Sequence, residues 1–229
     1  RMKSSFVAMA SHELRTPLTS IKGFTSTLLM DDSYAPDERR EFYQIIDTEC
    51  DRLTRLINNI LDFSKMEAGK KTYNFQVADI NTIIANVMNT YSYHLQSEGF
   101  TPQIQLAEEL PTLQVDTEAT TEAVINLIDN AIKYSGDRKY LCVRTLQKGS
   151  MVAVEIEDHG LGIAEEHRKK IFDTFYRAGT ALVHNTKGSG LGLSLVKHIM
   201  DAHGGRVEVD SVVGEGSTFR LLFPLERRA

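Results

Sequence analysis

Cysteine is scarce in this 229-residue sequence, tryptophan is missing and no apolar run is long. The two cysteines, Cys50 and Cys142, fall in a helix-like and a strand-like pattern respectively, so no disulfide framework is implied. No apolar stretch approaches the ~20 residues that span a bilayer, and the N-terminus carries no signal-peptide-like hydrophobic segment. Basic excess is lacking too. With 26 Lys and Arg against 31 Asp and Glu the net charge is -5, which speaks against broad nucleic-acid binding through a basic face. Internal repeats and low-complexity stretches are absent. What is present, 41% hydrophobic and 25% charged residues, is the makeup of a globular protein with one or two cores.

Two textures divide the chain. From Lys3 to Met30 the apolar residues Val7, Ala10, Leu14, Leu18, Ile21, Phe24 and Leu28 recur at steps of 3, 4, 4, 3, 3 and 4, a helical seam. A polar connection at Asp31–Asp37 holds Pro36, and a second stripe follows at Phe42, Ile46, Leu53, Leu56, Ile60 and Phe63. Residues 1–68 therefore predict a helical hairpin. A hairpin cannot bury so wide an apolar face alone, so pairing with a second copy into a four-helix bundle is expected, with packing on its own C-terminal half as the alternative.

After a short linker at 69–72, mixed α and β signals run through 73–229. Strands are expected at Tyr73–Val77, Gln103–Leu106, Leu113–Val115, Tyr140–Gln147, Met151–Glu157, Arg206–Ser211 and Ser217–Phe223. Helices are expected at Asn81–Ser97, Thr117–Tyr134, Glu165–Asp173 and Leu191–His203. The fold class is thus multidomain, α then α+β, the second domain a sandwich of helices on one face of a mixed, largely antiparallel sheet. The polar, breaker-rich Gly179–Gly190 stretch is longer than an ordinary connection and reads as a mobile functional segment.

On the first helix, ~100° per residue places His12 almost opposite the centre of the apolar stripe, facing solvent. Glu13 is adjacent and Thr16 lies one turn on. A neutral imidazole is a nitrogen nucleophile near neutral pH, and a carboxylate that takes or orients its other proton makes it a better one. Pro17 removes one backbone hydrogen bond and is expected to bend the helix. An exposed histidine alone is usually a solvated residue. The string Ser11-His12-Glu13-Leu14-Arg15-Thr16-Pro17-Leu18, however, resembles residue for residue the H-box of sensor histidine kinases.

Three further runs carry chemistry. Asn126, Asn130 and Lys133 share one side of a helix, where amide oxygens suit Mg²⁺ and a lysine suits phosphate, though any one of them alone could be a polar helix face. Asp158-His159-Gly160-Leu161-Gly162-Ile163 follows a strand, where a carboxylate can accept from the exocyclic amine of adenine. Gly188-Ser189-Gly190-Leu191-Gly192-Leu193 leads into a helix whose free amides and positive dipole end suit an anion. Its spacing is neither a dinucleotide fingerprint nor a P-loop, and the Ser/Thr/Tyr-kinase signatures are absent.

These runs resemble the N-box, G1 box and G2 box of the same family, and Ile171–Arg177 resembles its F-box. The resemblance implies a Bergerat-type ATP-binding fold, with Asn130 the leading Mg²⁺ ligand and Asn126 a secondary one. It also implies Lys133 on the phosphates, Tyr134 against the adenine and Asp158 as adenine reader beside Gly160, Gly162 and Ile163. Phe172 and Phe175 would anchor a lid at 179–188, Arg177 would reach the γ-phosphate and Thr218 would sit near the adenine pocket, with Glu122 in touch only through water.

The reaction implied is γ-phosphoryl transfer from Mg-ATP to His12, then onward transfer to an aspartate of a response-regulator receiver domain, with Glu13 assisting and Thr16 positioning water when the regulator is dephosphorylated. Homodimerisation through the hairpin is implied, without direct nucleic-acid contact. A sensor region and any membrane segment would lie upstream, making this the cytoplasmic portion of a membrane-anchored sensor. Two alternatives are weighed against it. ATPases of the same nucleotide fold, such as gyrase, the heat-shock 90 chaperones and MutL, place a general-base Glu where Asn126 stands, and a kinase-dead scaffold would not need Asn130, Asp158 and Gly190.

Overall fold

The computed structural model describes residues 2–31, 33–178 and 190–226, and at 2–9, 12 and 67 the backbone alone. Residues through Lys71 belong to one compact unit, and 72–178 with 192–226 to another. The expected lid at 179–188 lies outside the described residues, as do Gly188 and Ser189.

The first unit is a hairpin of α1 (Met2–Met30) and α2 (Pro36–Glu67). Helix α1 runs on through Pro17, whose missing N–H leaves the Glu13 carbonyl without its helical donor. In the turn, Asp31 accepts the Ser33 N–H at 2.8 Å, and Phe42 meets Tyr34 edge-on and Phe24 at centroid distances of 5.1 and 5.5 Å. Helix α2 starts where Pro36 needs no N–H partner and the Glu38 carboxylate accepts from Ala35 N at 2.9 Å. It stops at Gly69, whose φ of 62° lets Gly69 and Lys70 donate back to Met66 and Lys65. The seam is only half closed. Leu14, Ile21, Phe24, Leu28, Phe42, Ile46, Leu53, Leu56, Ile60 and Phe63 are all half-buried, and Leu18 stays 56% exposed.

The second unit is an α/β sandwich. Strand β1 (Gln76–Ala78) pairs antiparallel with β3 (Leu113–Val115). The main sheet has five strands, β2 (Gln103–Gln105), β4 (Leu141–Lys148), β5 (Met151–Asp158), β7 (Gly216–Pro224) and β6 (Arg206–Val212), in that spatial order. Only β2 with β4 is parallel. The mixed, largely antiparallel sheet expected from the sequence is what forms.

Alternation along these strands separates two faces. Val143, Val152, Val154, Ile156, Phe219, Leu221 and Phe223 are buried on one. The opposite face carries a charged cross-strand row in which Glu155 pairs with Arg144 and Arg220, and Arg220 with Asp210. Helices α3 (Ile80–Ser97), α4 (Thr117–Tyr134) and α6 (Gly192–Ala202) bury their apolar stripes, among them Ile84, Leu127 and Ile199. Asp79 and Asp116 cap α3 and α4, accepting the N–H groups of Asn81 and Ala119 at 2.9 Å.

Two expectations shift. The first strand begins at Gln76 rather than Tyr73, because Tyr73 and Phe75 pack on the His203 ring instead of entering the ladder. The helix expected at Glu165–Asp173 is a single turn, α5 (Glu165–Arg168), followed by a 3₁₀ turn at Lys170–Phe172. There Ile171 is buried, Phe172 meets Phe219 edge-on, and Asp173 turns to extended backbone. Phe175 then adopts φ of 68°, unusual for a residue with a side chain.

Candidate functional site

Around the Ser11–Leu18 string, Glu13 and Thr16 are half-buried and Pro17 is buried. Of His12 the helical backbone is described and the side chain is not. Thr16 lines a groove along α1 together with Thr19, Ser20, Gly23, Phe24 and Thr27, residues spaced to share one face of the helix.

The second site assembles at one end of the sandwich. Residues 126, 130 and 133 of α4 fall within about 60° of one another around the helix axis. The Asn126 amide donates to the Glu122 carbonyl at 2.9 Å, which aims its Oδ1 at Gly192, the first residue of α6. A Cβ at Gly192 would stand 2.8 Å from that oxygen, so a larger residue there would displace the Asn126 amide. The two motifs are thus in contact. Asn130 is half-buried and makes no side-chain hydrogen bond among the described residues. Lys133 Nζ lies over the Tyr134 ring, 4.8 Å from its centroid.

Asp158 ends β5 and is 6% exposed. Burial raises its pKa above the usual carboxylate range, while N–H donation from Gly160, at 2.8 Å, and from the Ser217 backbone pulls the other way, aided by His159 nearby. These donors fix the carboxylate at the end of the strand.

The glycines beside it let backbone come close to backbone. A Cβ at Gly160 would overlap the Tyr134 carbonyl, and one at Gly162 would overlap the Val212 carbonyl. In their place Leu161 N donates to Tyr134 O at 3.0 Å, Gly214 N donates to Leu161 O at 2.8 Å, and Ile163 N donates to Ser211 Oγ at 2.7 Å. The loop is thereby stitched to the end of α4 and to the β6–β7 turn.

Ser211 and Ser217 were not singled out in the sequence. Ser211 donates to the Gly216 carbonyl at 2.8 Å and lies 2.9 Å from Ser217 Oγ. In the register, Ser217 faces Asp158, whereas Thr218 faces Glu157 and Asp210. Thr218 therefore lies on the sheet face opposite Asp158, and Ser217 shares the Asp158 face. The signal was available: 217, 219, 221 and 223 have one parity, and Phe219, Leu221 and Phe223 are the apolar residues of the strand.

The remaining candidates are more scattered. Arg177 is exposed. Gly190 has φ of 66°, Leu191 is buried, and Leu193 is half-buried in the first turn of α6. Among the described residues no group of three or more His, Cys, Asp or Glu could hold a metal, and no helix is long and apolar enough to cross a membrane.

Comparison with known proteins matches both units. Residues 2–69 match the His Kinase A (phospho-acceptor) domain, and 115–227 match the family described as histidine kinase-, DNA gyrase B- and HSP90-like ATPase. The circadian input-output histidine kinase CikA of Synechococcus elongatus is 33% identical over 230 residues, which is 97% of this chain and 30% of CikA. The chain thus spans under a third of that relative. Full-length ShkA solved with AMPPNP superposes with a TM-score of 0.69 at 24% identity, over 99% of this chain and 46% of ShkA. Histidine kinase ThkA, solved in complex with the response regulator protein TrrA, gives 0.70 at 22% identity, over 97% of this chain and 62% of that one. With a phosphoacceptor hairpin and a nucleotide-binding sandwich in this order, each matched by its own family, the chain belongs to the sensor histidine kinases, whose catalytic core it is.

Proposed function

We propose that the chain binds Mg-ATP in its second unit and transfers the γ-phosphoryl group to His12, from which it passes to an aspartate of a response-regulator receiver domain. In the first step a ring nitrogen of His12 forms the P–N bond as the bond to the β,γ-bridging oxygen breaks, and ADP leaves. Glu13 takes or holds the proton on the other ring nitrogen. The contact of Asn126 with Gly192 carries the assignment best, because it sets the amide-bearing face of α4 against the first turn of α6, where free N–H groups favour phosphate.

Asp158 accepts from the adenine amine, with Ser217 beside it in the place first expected for Thr218. Gly160, Gly162 and Ile163 hold the loop that shapes this end of the pocket. Tyr134 flanks the adenine, and Lys133, Arg177 and the segment 188–193 meet the phosphates. The donor set fits Mg²⁺ only together with the nucleotide: Asn130, and Asn126 beside it, offer amide oxygens and no carboxylate, which suits an ion already held by phosphates and water. When bound, the ion neutralises charge on the phosphates.

The functional boundaries are placed at 1–68, 69–72 and 73–229, the middle segment being the hinge that lets ATP reach His12. Leu18, Ile57 and Leu61, between 42% and 56% exposed in the single chain, support a second copy completing a four-helix bundle. The Thr16 groove, next to His12 on the same helix, supports regulator docking there, with Thr16 orienting water for dephosphorylation. Input would come from an upstream sensor carrying any membrane anchor, with this core on the cytoplasmic side.

Incubation with γ-labelled Mg-ATP tests the central step. Acid-labile, alkali-stable label on the protein, absent from His12→Gln, is expected. Steady phosphate release with no labelled protein would instead assign a water-activating ATPase.

A further inference from the structure

We infer that His203 is a positioning residue that joins the segment just after the linker to both nucleotide-bearing helices. The ring is 1% exposed and closes the end of α6. Its Nδ1 lies 2.7 Å from the Ile199 carbonyl, which can only accept, so Nδ1 carries the proton. Its Nε2 lies 3.0 Å from Asp116 N, which can only donate, so Nε2 is the bare nitrogen. One tautomer satisfies both backbone groups. The ring thus bolts the last turn of α6 to the residue that caps α4.

Asp116 extends the joint. Its Oδ1 caps α4 at Ala119, and its Oδ2 accepts the Asn74 N–H at 2.7 Å. Tyr73 and Phe75, on either side of Asn74, meet the His203 ring edge-on at 6.1 and 5.0 Å, and Gln76 donates to Thr117 Oγ1 at 3.0 Å. Residues 73–76 directly follow the proposed hinge. Further along, α4 presents Asn126 and Asn130, and α6 begins at Gly192 against Asn126. A displacement of the linker, received at Asn74, is therefore passed, through rigid helices, to the residues expected around the phosphates. A misplacement of about 1 Å there costs turnover on the order of a hundredfold, so the joint acts on kcat more than on ATP affinity.

The activity readout rests on the kinase assignment above; the structural readout does not. His203→Gln retains an acceptor at the reach of Nε2, and His203→Asn retains only a donor at the reach of Nδ1. Asp116→Ser keeps a helix cap for α4 and removes the tether to Asn74 without touching the buried ring. Amide exchange at Asn74 and labelling of His12 are measured on the whole chain for all three.

His203→Asn and Asp116→Ser should release the Asn74 amide and slow labelling at saturating ATP about tenfold, with KM for ATP changed less than about threefold, while His203→Gln preserves both. Three results overturn the joint: released exchange with unchanged labelling, losses that follow the melting temperature across the variants, or His203→Gln failing as His203→Asn does. If the parent chain does not label at all, the kinase assignment fails, and Asn74 exchange in Asp116→Ser and His203→Asn decides the linkage alone.

Discussion

The hairpin and the sandwich are built from similar apolar residues and bury them to different depths. In the sandwich, Ile80, Ile84, Leu127, Ile128, Leu141, Val154 and Ile199 are all at 0–1% exposure, closed in by helices against one face of the sheet. In the hairpin, Ala10, Pro17 and Met66 alone are buried among the described residues, and the long side chains of the seam are half covered at best. Two helices offer each other one stripe, whereas a sheet offers a helix layer a whole surface. The sandwich can thus rest on its own core, whereas the hairpin is proposed to rest on a second chain. That division suits the chemistry: nucleotide residues need a rigid frame, and a phosphoacceptor histidine needs to stay reachable by two different partners.

The contrast breaks most directly at Leu127. Leu127→Ala removes a fully buried side chain from α4 and should cost about 2–5 kcal/mol, seen as a lower urea midpoint that does not depend on protein concentration, with ATP binding lost alongside. Leu53→Ala in the hairpin should instead lower a melting temperature that rises with concentration. A concentration-independent fall for Leu53→Ala would mean that the hairpin is sustained within one chain.

Asp158→Asn should separate binding from stability. Nucleotide affinity is expected to fall on the order of a hundredfold, because the amide cannot match a site built around a carboxylate acceptor. The unliganded chain should hold or gain stability. Burial raises the folded pKa of Asp158, so its favourable contribution is full below the ordinary carboxylate pKa of ~3.9 and is lost as pH rises through the raised value. The variant should therefore melt no lower than the parent at pH 7 and converge with it below about pH 4. A lower melting temperature at pH 7 would show that the two N–H donors outweigh burial.

Much of this was legible in advance where local and tertiary signals agree. Helix α4 spans the predicted Thr117–Tyr134 because a capping aspartate, a 3.6-residue stripe and Gly136 past its end all point the same way. The phosphoacceptor motif is a contiguous string, readable without geometry. What escaped depends on register or on close approach between distant segments. The roles of Gly160 and Gly162 follow from the Tyr134 and Val212 carbonyls, 26 and 50 residues away in sequence. Tyr73 and Phe75 have the alternation of a strand, but their partner is an imidazole at position 203. Glu165–Asp173 reads as one helix in the sequence, yet Ile171 and Phe172 lie in a 3₁₀ turn.

At the hairpin surface, Ile57→Lys should dissociate the proposed dimer by placing a charge where a half-exposed apolar side chain stands now, at a cost of about 1–3 kcal/mol. Sedimentation would report the loss of the dimer while ATP binding by the sandwich is retained. A species that stays dimeric would move the contact to another face of the hairpin.

The smallest expected effect distinguishes neighbours. Ser217 and Thr218 are adjacent on β7 and nearly equal in chemistry, but the strand sends them to opposite faces. Ser217→Ala removes the hydroxyl that lies 2.9 Å from Ser211 Oγ, beside the anchor of the Ile163 amide. It should weaken ATP binding by about 0.5–1.5 kcal/mol, a loss of several-fold. Thr218→Ala alters the charged row near Glu157 and Asp210, and exposed pairs of that kind contribute little. Its ATP affinity should match that of the parent. Titration of both variants with ATP ranks the two positions, and a larger loss in Thr218→Ala would return the adenine contact to the face where the charged row lies.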